Sequence, residues 1–268
     1  VEVVMEGPLI WRLNLHRPPS STFQPASIPR RRGVRAPTPW DGRSPKVLGW
    51  WGARPAAILV GMASALTAAR VRSDVDVLSR AGLGLDEFLA EAVDAVSRST
   101  PWTAACASTH DPETLLLTSA RKYGALEANN EHDAIFGSIE YGQADATSFS
   151  SLARSESPAV VMSDYLTSGV RSLRMDELMR PIYDFGDEAR LVFRDELGSW
   201  GALALFRGRG ESYFRPEDAE FLGSLSTSFA RGVRAGILAI TQAARRGAVH
   251  SNALSAAQRL MQRIAQAR

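Results

Sequence analysis

Trp200-Gly-Ala-Leu-Ala-Leu-Phe206, followed closely by Phe214-Arg-Pro-Glu-Asp-Ala-Glu-Phe-Leu222, decides the fold. The first stretch is apolar on both alternating faces: Trp200, Ala202, Ala204 and Phe206 on one, Leu203 and Leu205 on the other. A strand of that kind is covered on both sides and belongs in the centre of a sheet. The second stretch opens a helix. Pro216 stands near the first helical position, where its missing N–H costs little, and Glu217, Asp218 and Glu220 suit the positive end of the helix dipole. A last core strand that runs into a long closing helix predicts a sheet sandwiched by helices over residues 75–240.

Outward from that stretch, Glu188-Ala-Arg-Leu-Val-Phe-Arg194 reads as the preceding strand, joined by an Asp195-Glu-Leu-Gly198 hairpin loop. Pro158-Ala-Val-Val-Met162 reads as a short buried strand, Ser172 to about Tyr183 as a helix, and Asn130 to about Leu152 as a polar, helix-leaning stretch. Thr103–Thr109 and Thr114–Ala120 read as a strand pair, with turn chemistry in His110-Asp-Pro-Glu113. Asp86 is the expected cap of a helix with Phe88, Leu89, Ala92, Val93 and Val96 on one stripe. The closing helix places Leu222, Leu225, Phe229, Val233, Ile237 and Ile240 at steps of three and four. This stripe suits a parallel helix pair in a signalling homodimer.

The ends differ from the middle. Residues 1–80 carry 12 basic and 5 acidic side chains, residues 81–230 carry 12 and 24, and residues 231–268 carry 7 and none. An acidic body between basic ends argues against nucleic-acid binding by the central surface. Residues 1–55 hold Arg30-Arg-Arg32 and Trp50-Trp51 without a sustained period, so residues 1–74 read as a disordered or mis-started extension. Ala56–Ala69 is apolar, resembles the core of a signal peptide, and is too short to span a bilayer; translation from Met62 rather than Val1 is the competing account. Residues 241–268 read as a basic amphipathic helix with Leu254, Ala257, Met261 and Ile264 on one face. Cys106 is the single cysteine, which fits a reducing cytoplasm. No metal-ligand spacing joins His16, His110, His132 and His250.

Residues 75–240 resemble the N-terminal GAF-like sensor of LuxR-type helix-turn-helix regulators. The passages that carry the resemblance are Leu78-Ser-Arg-Ala-Gly-Leu83, Pro101-Trp-Thr-Ala-Ala-Cys106, Ile139-Glu-Tyr-Gly-Gln143, Met179-Arg-Pro-Ile-Tyr183, Glu188–Asp195 with Trp200-Gly-Ala-Leu203, and Tyr213–Leu222. The resemblance implies an α+β fold with a central antiparallel sheet flanked by helices. It also implies a non-catalytic sensory role for an unidentified small molecule or protein partner, with no cofactor specified. The family's Leu-Thr-x-Arg-Glu opening and recognition helix do not follow residue 240, so the expectation is a sensor-only or truncated regulator that does not read DNA directly.

The ligand-pocket candidates are Trp102, Cys106, Tyr141, Tyr183, Arg194 and Trp200, with Tyr165 a further aromatic; core packing accounts for each aromatic equally well. Cys106 reads either as a redox thiol or as an inert core thiol. Arg190 and Arg194 share a face with Val192 and read either as an anion clamp or as the wet side of an edge strand. Glu217, Asp218 and Glu220 read as dipole partners rather than catalytic acids, and Ser148-Phe-Ser-Ser151 lacks a nucleophile-elbow frame. The tail arginines Arg245, Arg246, Arg259, Arg263 and Arg268 leave nucleic-acid binding through the basic ends as the alternative function.

Overall fold

The computed structural model describes side chains for residues 64–142, 145–165, 169 and 171–245, and backbone elements at 2–5, 11–14, 54–63 and 166–167. In chain order, β1 (Glu2–Met5) and β2 (Trp11–Asn14) form an antiparallel ribbon. Then come α1 (Arg54–Leu78), α2 (Leu85–Ser97), β3 (Ala104–His110), β4 (Leu117–Gly124), α3 (Asp133–Gly142), α4 (Phe149–Arg154), β5 (Ala159–Val161) and α5 (Met162–Thr167). A π-helical turn (Arg174–Met179), β6 (Phe185–Asp195), β7 (Gly198–Gly208), α6 (Pro216–Gly223) and a helix over 226–245, here α7, complete the unit.

The architecture is α+β. Five strands form one sheet in the order β4-β3-β7-β6-β5, every neighbouring pair antiparallel, with helices on both faces. Strand β7 is central, and Leu203 and Leu205 are fully buried. One face is covered by α1, α2, α6 and α7. Its core joins Val71, Phe88 and Val93 to Ala105, Leu191, Leu203, Leu205, Leu222 and Phe229. The other face is covered by α3, α4, α5 and the π-turn, and its core includes Phe149, Met162, Met175, Met179, Val192, Ala204 and Phe206.

Local chemistry explains the boundaries. Pro216 stands in the first turn of α6, and Asp218 accepts the Arg215 N–H at 2.9 Å, closing the orphan end of the helix. Asp86 does not cap α2. Gly84 holds the cap position, and Asp86 lies in the first turn, paired with Arg121. The Asp111 carboxylate accepts from Glu113 N, Thr114 N and Thr114 Oγ1. This side-chain turn delays β4 to Leu117 and leaves His110 as the last residue of β3.

Two expectations are corrected here, the boundary of the folded unit and the facing of Trp200. Val71 and Val75 are buried in the core, so the folded unit reaches back into α1, which contains all of the apolar stretch Ala56–Ala69 read as signal-like. Within the expected disordered extension, β1 and β2 pair; the remaining residues up to 53, and those from 246 on, lie outside the described residues. A β-bulge flips Trp200. Phe193 pairs with Gly201 and Arg194 with Ser199, which makes Trp200 the extra residue and turns it to the α7 face, away from Ala202, Ala204 and Phe206. Gly201 is required there, because a Cβ would lie 2.2 Å from Ser108 O.

Candidate functional site: a cavity and a buried ion network on one face of the sheet

Across the face that meets α3 and the π-turn, one row of paired residues runs Arg190, Ala204, Cys106, Lys122, and the next runs Val192, Ala202, Ser108, Ala120. The middle of both rows is small. Large side chains roof it: Phe136 from α3, Phe149 from α4, Leu178 and Met179 from the π-turn, and Tyr183 after it. The gap is a cavity of about 50 Å³, also lined by Leu126, His132, Asp133 and Phe206. That volume holds a few water molecules, or an occupant for which the roof shifts.

Beside the cavity lies a charge cluster with no exposure at either arginine. Arg174 Nη2 donates to Glu188 Oε2 at 2.8 Å and to Thr147 Oγ1 at 3.1 Å, and its Nε reaches both Glu188 oxygens. Arg190 Nη2 donates to Glu140 Oε2 at 2.9 Å and its Nη1 to Thr147 O at 2.6 Å, while its guanidinium lies 3.5 Å from the Phe149 ring centroid. Glu140 Oε1 accepts the Phe149 N–H at 2.6 Å. Asp145 pairs with Arg174 at 3.4 Å from the partly exposed edge. Two guanidiniums and three carboxylates thus fix α3, the approach to α4, the π-turn and β6 to one another. Burial opposes charge on Arg174, but Glu188 and Glu140 hold it firmly protonated. Burial also works to raise the Asp145 carboxyl, and hydrogen bonds from Thr147 with the Arg174 charge overcome it and keep it low.

Two more groups on this face are kept uncharged. Burial, helped by the Arg190 charge, pushes the His110 imidazole down to about 3; its Nε2 lies 3.2 Å from Ser108 Oγ. Burial pushes the Cys106 thiol up to about 11, so it is not a ready nucleophile.

Of the six pocket candidates, Cys106 and Tyr183 line the cavity, Tyr183 stacking on Phe185 with centroids 5.8 Å apart. The other four do not. Tyr141 is 38% exposed and its hydroxyl accepts the Leu117 N–H, clipping α3 to β4. Trp200 packs on the opposite core and donates to Asp195 Oδ1. Trp102 also packs on that side and lines an open groove with Arg207, Glu211, Tyr213 and Asp218. That groove is larger, about 640 Å³, but two of its charged groups have structural partners: Arg207 holds Pro101 O, Ser212 O and Tyr213 O, and Glu211 accepts from Thr103. Arg194 donates to the carbonyls of Leu152, Ala153, Ser155 and Glu156, closing the C-terminal end of α4.

The edge-strand reading of Arg190 is wrong: β6 lies between β5 and β7, and the helical layer over this face leaves Arg190 fully buried. The proposed dimer stripe is largely the domain's own core face. Leu222, Leu225, Phe229 and Val233 are buried, Ile237 packs against the same core, and Ile240 is exposed. Glu140, Asp145, Thr147 and Arg174 were not singled out from the sequence. The available signal was Glu188 and Arg190 within an otherwise apolar strand beside the central one, since buried charges require partners. Arg246, Arg259, Arg263 and Arg268 lie outside the described residues. Among the described residues, no cluster of three or more His, Cys, Asp or Glu is placed to hold a metal ion, and no helix is long and apolar enough to cross a membrane.

The sequence matches no family profile, and no curated protein is similar to it. Solved structures do match. The photoproduct state of GAF3 from Slr1393 of Synechocystis sp. PCC6803 has a TM-score of 0.43 and 14% identity, over 59% of this chain and 99% of that chain. The GAF domain of a phosphoenolpyruvate-protein phosphotransferase from Coxiella burnetii has 0.39 and 14%, over 69% and 98%. The nlh2 GAF domain of A. aeolicus in an inactive state has 0.37 and 11%, over 65% and 98%. The fold class of this chain rests on its own strand order and layers.

Proposed function

We propose that residues 64–245 form a non-catalytic sensory module that binds a small molecule in the cavity between the sheet and the α3/π-turn layer. The observation that carries this reading is the apolar cavity itself, set over a floor of small residues and walled by elements that an ion network holds together. The sequence passages shared with LuxR-type sensors support a place in transcription regulation, in the cytoplasm.

A physical route runs from the cavity to the closing helix. Phe149 lines the cavity from α4, and Arg194 holds the far end of α4. The Arg194 N–H donates to Ser226 Oγ at 3.1 Å, and the Ser226 hydroxyl donates to Val192 O at 2.6 Å. These backbone groups face the β5 side of β6, where the Val192 N–H bonds to Pro158 O but Pro158 has no N–H to return and β5 starts only at Ala159; Ser226, at the start of α7, satisfies them. A ligand that moves α4 therefore pulls on α7 through Arg194 and Ser226. A homodimer would seat on the outer sides of α1 and α7, where Leu66, Val77, Leu238 and Ile240 are exposed.

Non-catalysis is supported by the work the polar groups already do. Ser148 Oγ accepts the Ser151 N–H and caps α4, and Asp218 holds the Arg215 N–H at the start of α6. Native mass spectrometry of the full chain purified from its natural host tests the proposal. A non-covalent adduct of small-molecule mass, lost in Ala204→Val, supports it. A chain without an adduct, or an adduct indifferent to that substitution, contradicts it.

A further inference from the structure

We infer that this cavity takes an uncharged, mostly apolar small molecule, aromatic or short-chain, and that it rejects anions and cations of the same size. The inference rests on the sensory reading above and names the ligand class for that site.

Four cations on this face have their partners inside the fold. Lys122, the one cation among the described residues that line the cavity, directs its ammonium to Asn129 O, Asn130 Oδ1 and Asp133, three acceptors for three N–H groups. Arg174 and Arg190 are occupied by Glu188, Glu140, Asp145 and Thr147, and Arg194 by the end of α4. An anionic ligand would have to break one of these sets and strand a buried carboxylate. A cationic ligand would meet the Lys122 ammonium with Asp133 already used. Either event leaves an uncompensated charge in a region of low dielectric.

The remaining lining matches a neutral guest. Leu117, Leu126, Phe136, Phe149, Leu178 and Phe206 present apolar surface, and aromatic rings stand on several sides. Met179 supplies a side chain that repacks readily, so the cavity can widen without breaking an ion pair. His132 lines the cavity, and its Nδ1 is buried with no partner among the described residues. One uncharged polar group on the guest, such as a hydroxyl, would satisfy it.

The experiment is calorimetric titration of the full chain with p-cresol, benzoate and benzylammonium, three single-ring compounds that differ chiefly in charge. It is repeated on Ala204→Val and Ala120→Val, which add bulk to the floor from the central strand and from the edge strand. Thermal melts report whether each variant is folded, and the edge-strand variant keeps the test intact should the central one fail to fold. The expected result is binding of p-cresol, at least about tenfold weaker binding of both charged rings, and a loss of about tenfold or more in the folded variants. Benzoate or benzylammonium binding as tightly as p-cresol, and equally sensitive to the valines, overturns the ligand class while leaving the sensory reading in place. No binding of any ring, or p-cresol binding indifferent to both valines, also overturns the inference; the native-mass adduct then decides the sensory reading separately.

Discussion

On the α7 face of the sheet, Phe229 stacks on Phe193 at 4.6 Å and meets Phe88 edge-on at 5.9 Å, and among the described residues the core around them contains no methionine. On the α3 face the core contains Met162, Met175 and Met179, and beside it lie a cavity, a π-helical turn and five buried or nearly buried charges. One sheet thus carries a close-packed scaffold on one side and an adaptable chamber on the other. Close packing fixes a single arrangement, whereas methionine, a π-turn and a void leave room for another. The chamber side is where ligand binding can change the structure at least cost.

The largest expected effect comes from the ion network. Arg174→Met strips Glu188 of its hydrogen-bonded partner, leaving it only the Arg190 Nε contact at 3.4 Å, and should destabilise the chain by about 3–5 kcal/mol in urea denaturation, because a buried carboxylate is left under-compensated. A loss under about 1 kcal/mol would mean that the chamber side is not held by charge. Next is the scaffold side. Gly232 lets α7 approach α2, since a Cβ there would lie 2.3 Å from the Phe88 ring. Gly232→Ala should cost about 1–3 kcal/mol by overpacking, and a neutral or stabilising result would show that this face gives way as readily as the other.

Ser226→Ala probes the link between the faces. It removes the partner of both the Arg194 N–H and Val192 O and should cost about 1–3 kcal/mol. It should also reduce the ligand-induced change in α7, read by amide exchange, while leaving ligand affinity within a few-fold; an undiminished response in α7 would break the proposed route. The smallest effect is in pH dependence. His110 is neutral in the fold, with its imidazole pushed down to about 3 from 6.5 by burial. The unfolded chain therefore takes up a proton that the folded chain refuses, and stability falls as pH drops through 6.5 toward 3, by up to about 1.4 kcal/mol per pH unit. Asp187, raised by burial, slopes the other way near the bottom of that window. His110→Leu should flatten the fall between pH 6.5 and 4.5, and an unchanged slope would place its origin elsewhere.

The architecture was legible where one residue pattern decides it. Leu203 and Leu205, apolar on a strand apolar on both sides, are fully buried in the central strand, and the Pro216 and Asp218 signals do open a helix. Trp200 was misplaced because a bulge reverses strand parity, and no period-two pattern announces a bulge. The edge-strand alternative for Arg190 and Arg194 fails because the sheet order, which puts β5 outside β6, is not a local property. The closing stripe of Leu222 to Val233 looked free because a helix's apolar face does not say whether its partner is another chain or its own sheet. The cavity was the least legible feature. Its floor joins Ala204, Cys106 and Ala120 from three strands, and a void is set by what neighbours fail to fill rather than by any residue's own character.

Native-state hydrogen exchange on the full chain tests the central contrast most directly. The account predicts that amides of α3, α4 and the π-turn exchange through sub-global openings well below the free energy of global unfolding, while α2, β7 and the first turns of α7 exchange only by global unfolding. Equal protection on the two faces, or earlier opening of α2 and α7, would contradict it.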